Sequence, residues 1–248
     1  MKSSLAVVET SEIGSNVRIM EYSVIRPHVV IENDVTIHPF VVIEEGVHIG
    51  RGVEVFPGCY LGKIPKGAGA TARPVKYEPG IVIGENCAIG PNAVIYYDVS
   101  IGSNTLLGDG ASVREGCRVG SRCVIGRYVT LNYSTIVGDD TKIMDHSWLA
   151  GNMTVGSGVF ISGGVLTAND NDMGLMGYEE RRVVGPHIED RVRIGAGAIL
   201  LPDATLGHDA LIAAGAVITK NIAAGDLMMG VPARSVKRAS DREKPEKS

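Results

Sequence analysis

An apolar residue falls at every sixth position along most of this chain. One series runs from Ile13 through Ile19, Ile25, Ile31, Ile37, Ile43, Ile49 and Val55 to Leu61. A second holds the step from Ile83 to Ile161, and a third from Ile188 to Ile218; no member of the three is polar. Four residues after these positions stand small or β-branched side chains, as at Val29, Val41, Ala93, Ala111, Val129, Ala198 and Ala216. The slot just before that is rich in Gly, Asn and Asp, including Asn86, Asn92, Asp98, Asn104, Gly110, Gly116 and Asp140. These residues enter the left-handed backbone region at least cost. Each unit therefore predicts a short strand and a corner, with one large and one small side chain pointing inward.

A six-residue period of this kind is the repeat of a parallel β-helix. Three units per turn make a triangular prism of about eighteen residues per coil, hydrogen-bonded from coil to coil. The expected fold is all-β, with about ten coils in one domain over residues 1–234. The charged segment 235–248 reads as a disordered tail. The rhythm breaks at 62–80, GKIPKGAGATARPVKYEPG, and at 168–187, ANDNDMGLMGYEERRVVGPH. Long loops in a compact repeat are commonly functional. Counting units from Val7 puts both loops on one face, five coils apart, about 24 Å at the spacing of neighbouring strands. Residues eighteen apart should stack. Arg114 then lies by Asn132, Glu115 by Tyr133 and Asn169, and Ser134 by Asn152 and Asp170. With Asn171, these polar side chains form the expected substrate site beneath the second loop.

Composition narrows the function. A formal net charge of -4 leaves no basic footprint for nucleic acid. No apolar run approaches the roughly 18 residues of a membrane span. The first residues lack the apolar core of a signal peptide, so a cytoplasmic location is expected. Cys59, Cys87, Cys117 and Cys123 all occupy the small inward slot and form no CxxC, which makes them core residues. No metal is expected.

The segment 193–234, closing on GAVITKNIAAG and GVPAR, resembles the acyl-CoA end of the hexapeptide acetyltransferases. The resemblance implies a left-handed β-helix and a homotrimer with sites in the clefts between subunits. It also implies a pantetheine arm lying near Gly195–Ala196 and Ala214–Gly215, with Lys220 and Arg234 near the nucleotide phosphates. Lys and Arg suit phosphate as point charge and fork respectively. The stretches LLGDGASVREGCRVG and GVFISGGVLTANDND are similar to the N-acyltransferases of UDP- or dTDP-linked amino sugars. That similarity implies that Asn169 and Asp170 face the acceptor amine. VKYEPG in the first loop is similar to the UDP-N-acetylglucosamine acyltransferase of lipid A synthesis.

One departure from the O-acylating pattern matters. Where that family carries H-x-x-H-D, this chain reads Trp148-Leu149-Ala150-Gly151-Asn152, with Gly151 at the position of the general base. A hydroxyl nucleophile needs such a base. An amine with a pKa near roughly 8 is partly neutral at pH 7 and attacks without one. The expected activity is transfer of an acetyl or short acyl group from acyl-CoA, most simply acetyl-CoA, to a nucleotide-linked amino sugar. Asp170 and His146 are the candidate proton acceptors. His146 fills a corner slot where Gly or Asn is usual, as Tyr22, His28 and Phe40 also do. Two enzyme alternatives stand beside this reading. One is O-acylation from acyl carrier protein. The other is a zinc enzyme like the γ-carbonic anhydrases, which needs three converging His, whereas His28, His38 and His48 hold different slots of the hexad. A non-catalytic scaffold would bind no CoA.

Overall fold

The structure is a computed structural model and describes residues 1–70, 73–179 and 182–238. All regular elements among the described residues are strands, most of them two residues long, arranged in sheets of 11, 9 and 12 strands. The chain winds through the 12-, 11- and 9-stranded sheets in turn, as a left-handed parallel β-helix of about twelve turns. The expectation of about ten coils falls short because the winding extends beyond the regular hexads. Lys2 already bridges to Ile19, and Asp226–Met229 adds a strand past Ile218. No helix among the described residues is long and apolar enough to cross a membrane.

The coils stack in an eighteen-residue register. Val24 pairs with Val42 and Ile25 with Ile43, and the Val24 N–H donates to the Val41 carbonyl at 2.9 Å. Most corners take one residue in the left-handed region, such as Asn86 (φ 55°), Asp98 (φ 60°) and Gly110 (φ 65°). Bulky residues are accommodated at corners by stacking along the axis. Tyr22 lies on Phe40 with ring centroids 5.2 Å apart, and Tyr128 on His146 at 5.3 Å. At other corners Asn16 donates to Asp34 at 2.8 Å, and Arg191 to Asp209 at 2.8 Å. Such ladders offset a left-handed cost of about 1–2 kcal/mol per non-glycine residue.

Inside, the sixth-position Ile, Val and Leu residues form the large-side-chain columns, and Ile25, Ile89 and Ile125 are wholly buried. The small slot holds Ala, Val, Cys, Ser and Thr. Where it is polar, the hydroxyl bonds a carbonyl of the next coil, as Thr105 does to Gly120 at 2.9 Å and Thr141 to Gly156 at 2.7 Å. The four cysteines sit in this slot, all buried. Burial pushes the Cys59 thiol up to about 11 and the Cys117 thiol up to about 12.

Both loops run from the 11-stranded to the 9-stranded sheet. The first joins Tyr60–Lys63 to Ile81–Ile83, the second Leu166–Thr167 to His187–Ile188. Their root strands are five places apart in the 11-stranded sheet, as the unit count requires. Tyr60 pairs directly with Val94 and Leu166 with Ile199, so neither loop hides a coil. Residues 235–238, read from sequence as the start of a disordered tail, instead belong to strand Arg234–Arg238. It runs antiparallel to Asp226–Met229 and covers the last edge of the 12-stranded sheet. The rest of the expected tail, 239–248, lies outside the described residues.

Two outcomes follow from this core. Ile125→Ala lowers stability by about 2–5 kcal/mol, measured by denaturant unfolding followed by circular dichroism. At pH 8 the native protein gives no thiol labelling with a chromogenic disulfide reagent, and all 4 cysteines react after denaturation.

Candidate functional site

The two loops start five coils apart and meet over Tyr133. This residue lies at the corner between the 11- and 9-stranded sheets, three coils from the first root strand and two from the second. The first loop brings the Arg73 guanidinium 3.6 Å from the centre of the Tyr133 ring. Arg73 also pairs with Glu115, whose side chain is only 2% exposed. Arg114 supplies the second cation, with Nη2 at 3.1 Å from Oε1 and Nε at 3.2 Å from Oε2 of Glu115. Two guanidinium groups thus compensate one buried carboxylate, which alone would be strongly unfavourable. The same alternation continues along the face, with Lys63 4.8 Å and Arg114 5.4 Å from the Tyr96 ring centre.

From the second loop, Asn169 Nδ2 donates to the Tyr133 phenol oxygen at 3.2 Å and to the Gly151 carbonyl at 3.0 Å. Both amide hydrogens are then used, leaving Oδ1 to accept and the Tyr133 hydroxyl to donate. Asn152 Nδ2 holds the returning segment of the loop through the Val183 carbonyl at 2.8 Å. The result is a cleft of about 330 Å³. Tyr133, Ser134 and Asn152 form its floor, Arg73, Pro74 and Lys76 one wall, and Tyr178, Val183 and Val184 the other. Its volume and mixed lining are those of a small-molecule site.

Gly151 is explained by its neighbour. A Cβ there would lie 2.5–2.7 Å from carbons of the Tyr133 ring. At the position that holds a base in the O-acylating pattern, a phenol ring occupies the space that a side chain would take.

The other expected substrate residues divide. Tyr133 and Asn152 line the cleft, while Asn169, Arg114 and Glu115 fix its floor and first wall. Asn132 is buried with its amide donating to the Leu149 carbonyl at 2.9 Å. Asn171 is exposed on the loop. Asp170 accepts the Asp172 N–H on Oδ1 at 2.8 Å and the Gly174 N–H on Oδ2 at 2.7 Å, so its carboxylate organises the loop. Arg73, Lys76 and Tyr178 were not anticipated. The shared face of the two loops was the available signal, but the reach of an aperiodic loop cannot be counted from a repeat.

His146 stands elsewhere, at the corner between the 12- and 11-stranded sheets. The next three residues in its column are Gly164, Gly197 and Gly215, with φ of 69°, 67° and 69°. A Cβ at any of the three would meet nothing within 4 Å. Ala196 and Ala214 flank them, so this end of the corner is bare backbone. Gly195 and Ala213 border a groove of about 330 Å³ on the 12-stranded face, beside Phe160, Leu211 and Met229. Arg234, opposite Met229 in the final strand pair, stands at the far end of the prism. Lys220 is exposed on the corner that carries the loops, away from the other expected cofactor residues. The three His weighed for zinc lie apart, each facing its own carboxylate: His38 with Glu54 at 2.7 Å, His48 with Glu32 at 2.8 Å, and His28 with Glu45 at 3.8 Å.

The model of the bacterial transferase hexapeptide family (six repeats) matches residues 10–44, 28–63, 80–114, 98–132 and 185–220, more than half of the chain. The chain belongs to this family. A 2,3,4,5-tetrahydropyridine-2,6-dicarboxylate N-acetyltransferase from Staphylococcus aureus is 44% identical over 54 residues, 22% of this chain and 23% of that protein. The match therefore spans less than a quarter of the relative. Among solved structures, a UDP-N-acetylglucosamine acyltransferase aligns over 98% of this chain and 75% of its own, with 19% identity and a TM-score of 0.51. The enzyme of that name from Bacteroides fragilis aligns over 96% and 74%, with 21% identity and a TM-score of 0.45. At 19% identity the likeness to the first of these is one of fold.

The packing at the cleft yields two outcomes. Gly151→Ala displaces the Tyr133 ring and changes tyrosine fluorescence or nuclear magnetic resonance shifts at Tyr133, while the far-ultraviolet dichroism is retained. Arg73→Ala leaves Glu115 with one partner and lowers stability by about 1–3 kcal/mol in denaturant unfolding.

Proposed function

We propose that this hexapeptide transferase moves an acetyl or short acyl group from acyl-CoA to the amino group of a nucleotide-linked amino sugar. The observation that carries the choice of amine is the Tyr133 ring over Gly151, which stands where the O-acylating pattern has its base; an amine attacks without activation and gives up its proton afterwards. The cleft supports the acceptor class. Arg73 and Lys76 suit a diphosphate, Tyr178 offers an aromatic face, and the Asn169 Oδ1 and Tyr133 hydroxyl suit a sugar amine and its neighbours.

The bare corner at Gly164, Gly197 and Gly215 supports the donor. An extended amide-bearing arm can lie against exposed backbone there without meeting side chains, with Arg234 at its phosphate end and His146 at its reactive end. On this reading the amine nitrogen bonds to the thioester carbonyl carbon. Backbone N–H groups along the corner stabilise the oxyanion. The C–S bond then breaks, His146 takes the amine proton, and the thiolate leaves and is protonated. Asp170 serves by shaping the second loop.

Cleft and bare corner lie on different edges of one prism, so this reading includes a homotrimer in which each site is completed between neighbours. Flat prism faces related by a closed rotation make that plausible in physical terms.

The test is a panel of acyl-CoAs and acyl carrier protein with UDP- and dTDP-linked amino sugars and their hydroxyl counterparts, followed by mass spectrometry. The expected product is an N-acyl sugar formed from acyl-CoA. O-acylation from acyl carrier protein alone would overturn the reading. His146→Asn lowers kcat by about 10²-fold. Asp170→Asn raises KM for the acceptor and leaves kcat within a few-fold.

A further inference from the structure

The stretch of the first loop that walls the cleft is pinned at both of its ends. At one end Arg73 pairs with Glu115 and lies 3.6 Å from the centre of the Tyr133 ring. At the other the Tyr77 ring stacks on Tyr97, with centroids 6.0 Å apart and planes 8° apart. Tyr97 is itself held, since its hydroxyl donates to the Glu45 carbonyl at 3.0 Å. Pro74 and Lys76 stand between the two pins and line the cleft.

Of the groups that make these pins, the carboxylate is the one the fold itself does not require. Glu115 is 2% exposed, and its neighbours in the coils on either side are Tyr97 and Tyr133. A neutral side chain suits the position, and a charge there must be compensated. The compensation comes from Arg114 beside it and from Arg73, 42 residues away in sequence on an inserted loop. The coils stack without that loop, because Tyr60 pairs directly with Val94. A buried ion pair is in general a weak stabilising device, since apolar side chains of similar volume often do as well. What this one does is hold a loop end that the hydrogen bonds between coils do not reach. The planar guanidinium suits the task, with one edge on the carboxylate and one face on the ring.

We propose that Glu115 is a positioning residue for acceptor binding. It fixes Arg73, and through Arg73 the stretch that carries Pro74 and Lys76, so that the wall meets a nucleotide's phosphates already in place. Affinity gained in this way comes from ordering the wall before the ligand arrives. Charge agrees with the assignment, because one carboxylate set against Arg73, Arg114 and Lys76 leaves the wall cationic, as a diphosphate requires. For its purpose the proposal rests on the reading above; the pinning does not.

The experiment uses the full chain, the variants Glu115→Gln and Arg73→Gln, the two combined, and Glu115→Asp, which keeps the charge. UDP and dTDP are the probes in titration calorimetry, with acetyl-CoA as the control. Glu115→Gln is expected to weaken binding of whichever nucleotide the parent chain takes by about tenfold, the equivalent of one charge-assisted hydrogen bond, with acetyl-CoA affinity retained. Glu115→Asp recovers most of the loss. Arg73→Gln loses at least as much, and the combined variant loses no more than Arg73→Gln alone, as expected of residues acting as one unit. Unchanged nucleotide affinity, an equal loss for acetyl-CoA, additive losses, or a parent chain that binds neither nucleotide overturns the proposal. Limited tryptic digestion adds a readout without ligand. The Lys76–Tyr77 bond is expected to be cut faster in Glu115→Gln than in the parent, and equal rates also overturn the proposal. If Glu115→Gln does not fold, Arg73→Gln is held to the same two criteria. Neither readout needs acyl transfer. A chain that shows both effects but forms no N-acyl sugar keeps the role of Glu115 and loses the proposed activity. A chain that acylates an amino sugar and shows neither effect does the reverse.

Discussion

The eighteen-residue ladder of backbone hydrogen bonds between coils is the constraint on which everything else in this molecule depends. Strands of two residues have no stability of their own and exist only because strands in the same register lie beside them in the neighbouring coils. That stacking requires each coil to turn through the same corners, which explains the left-handed residues at fixed intervals. It also demands side chains of matched size at each inward position, which explains the alternation of Ile or Val with Ala, Cys or Thr. A hydroxyl is admitted to this core only because the next coil presents a carbonyl to it, as Gly120 does to Thr105.

The same ladder determines where function can be added. An insertion inside a strand would break the hydrogen bonds of both neighbouring coils, whereas an insertion at a corner leaves Tyr60 paired with Val94 and Leu166 with Ile199. Two insertions at one corner share a face. Five coils between them leave a gap that each can partly bridge, and Tyr133 stands within it. The Arg73–Tyr133–Arg114 stack and buried Glu115 then give the first loop a fixed end, and Asn152 and Asn169 anchor the second. A regular prism in this way acquires a cleft from its two irregular segments.

What could be read from the sequence follows the same division. Ile125, Cys117 and Asn104 have roles set by their place in the hexad, so period alone placed them. The shared face of the loops was also accessible, because counting in threes needs no knowledge of loop conformation. Beyond the beat, residue type had to stand in for geometry, and it left out what the backbone does. Asp170 in a run of Asn and Asp suggests chemistry, and its oxygens also accept the N–H groups of Asp172 and Gly174, which residue type does not announce. The charged run from Ser235 looks like a tail, yet the backbone of its first residues, 235–238, completes a sheet edge whose need for a partner leaves no trace in composition. Arg73 was invisible because its partner, Glu115, is distant in sequence and no period connects them.

Gly151 shows how a repeat protein can be read at its exceptions. In isolation a glycine at a corner is unremarkable, and a missing histidine is only an absence. Beside Tyr133 the absence acquires a cause: the ring and any side chain at 151 compete for the same volume, and here the ring holds it. Gly164, Gly197 and Gly215 make the opposite exception, since nothing fills the space their side chains would take. On other edges the equivalent positions carry ladders such as Arg191–Asp209, which suit a corner that faces only water. Glycine suits these corners on backbone grounds alone, since φ of 67–69° costs it nothing that other residues would pay. What three in a row add is an edge where the backbone is open to anything that lies against it. This is the physical reason for looking to that edge for the donor and to the edge at Tyr133 for the acceptor.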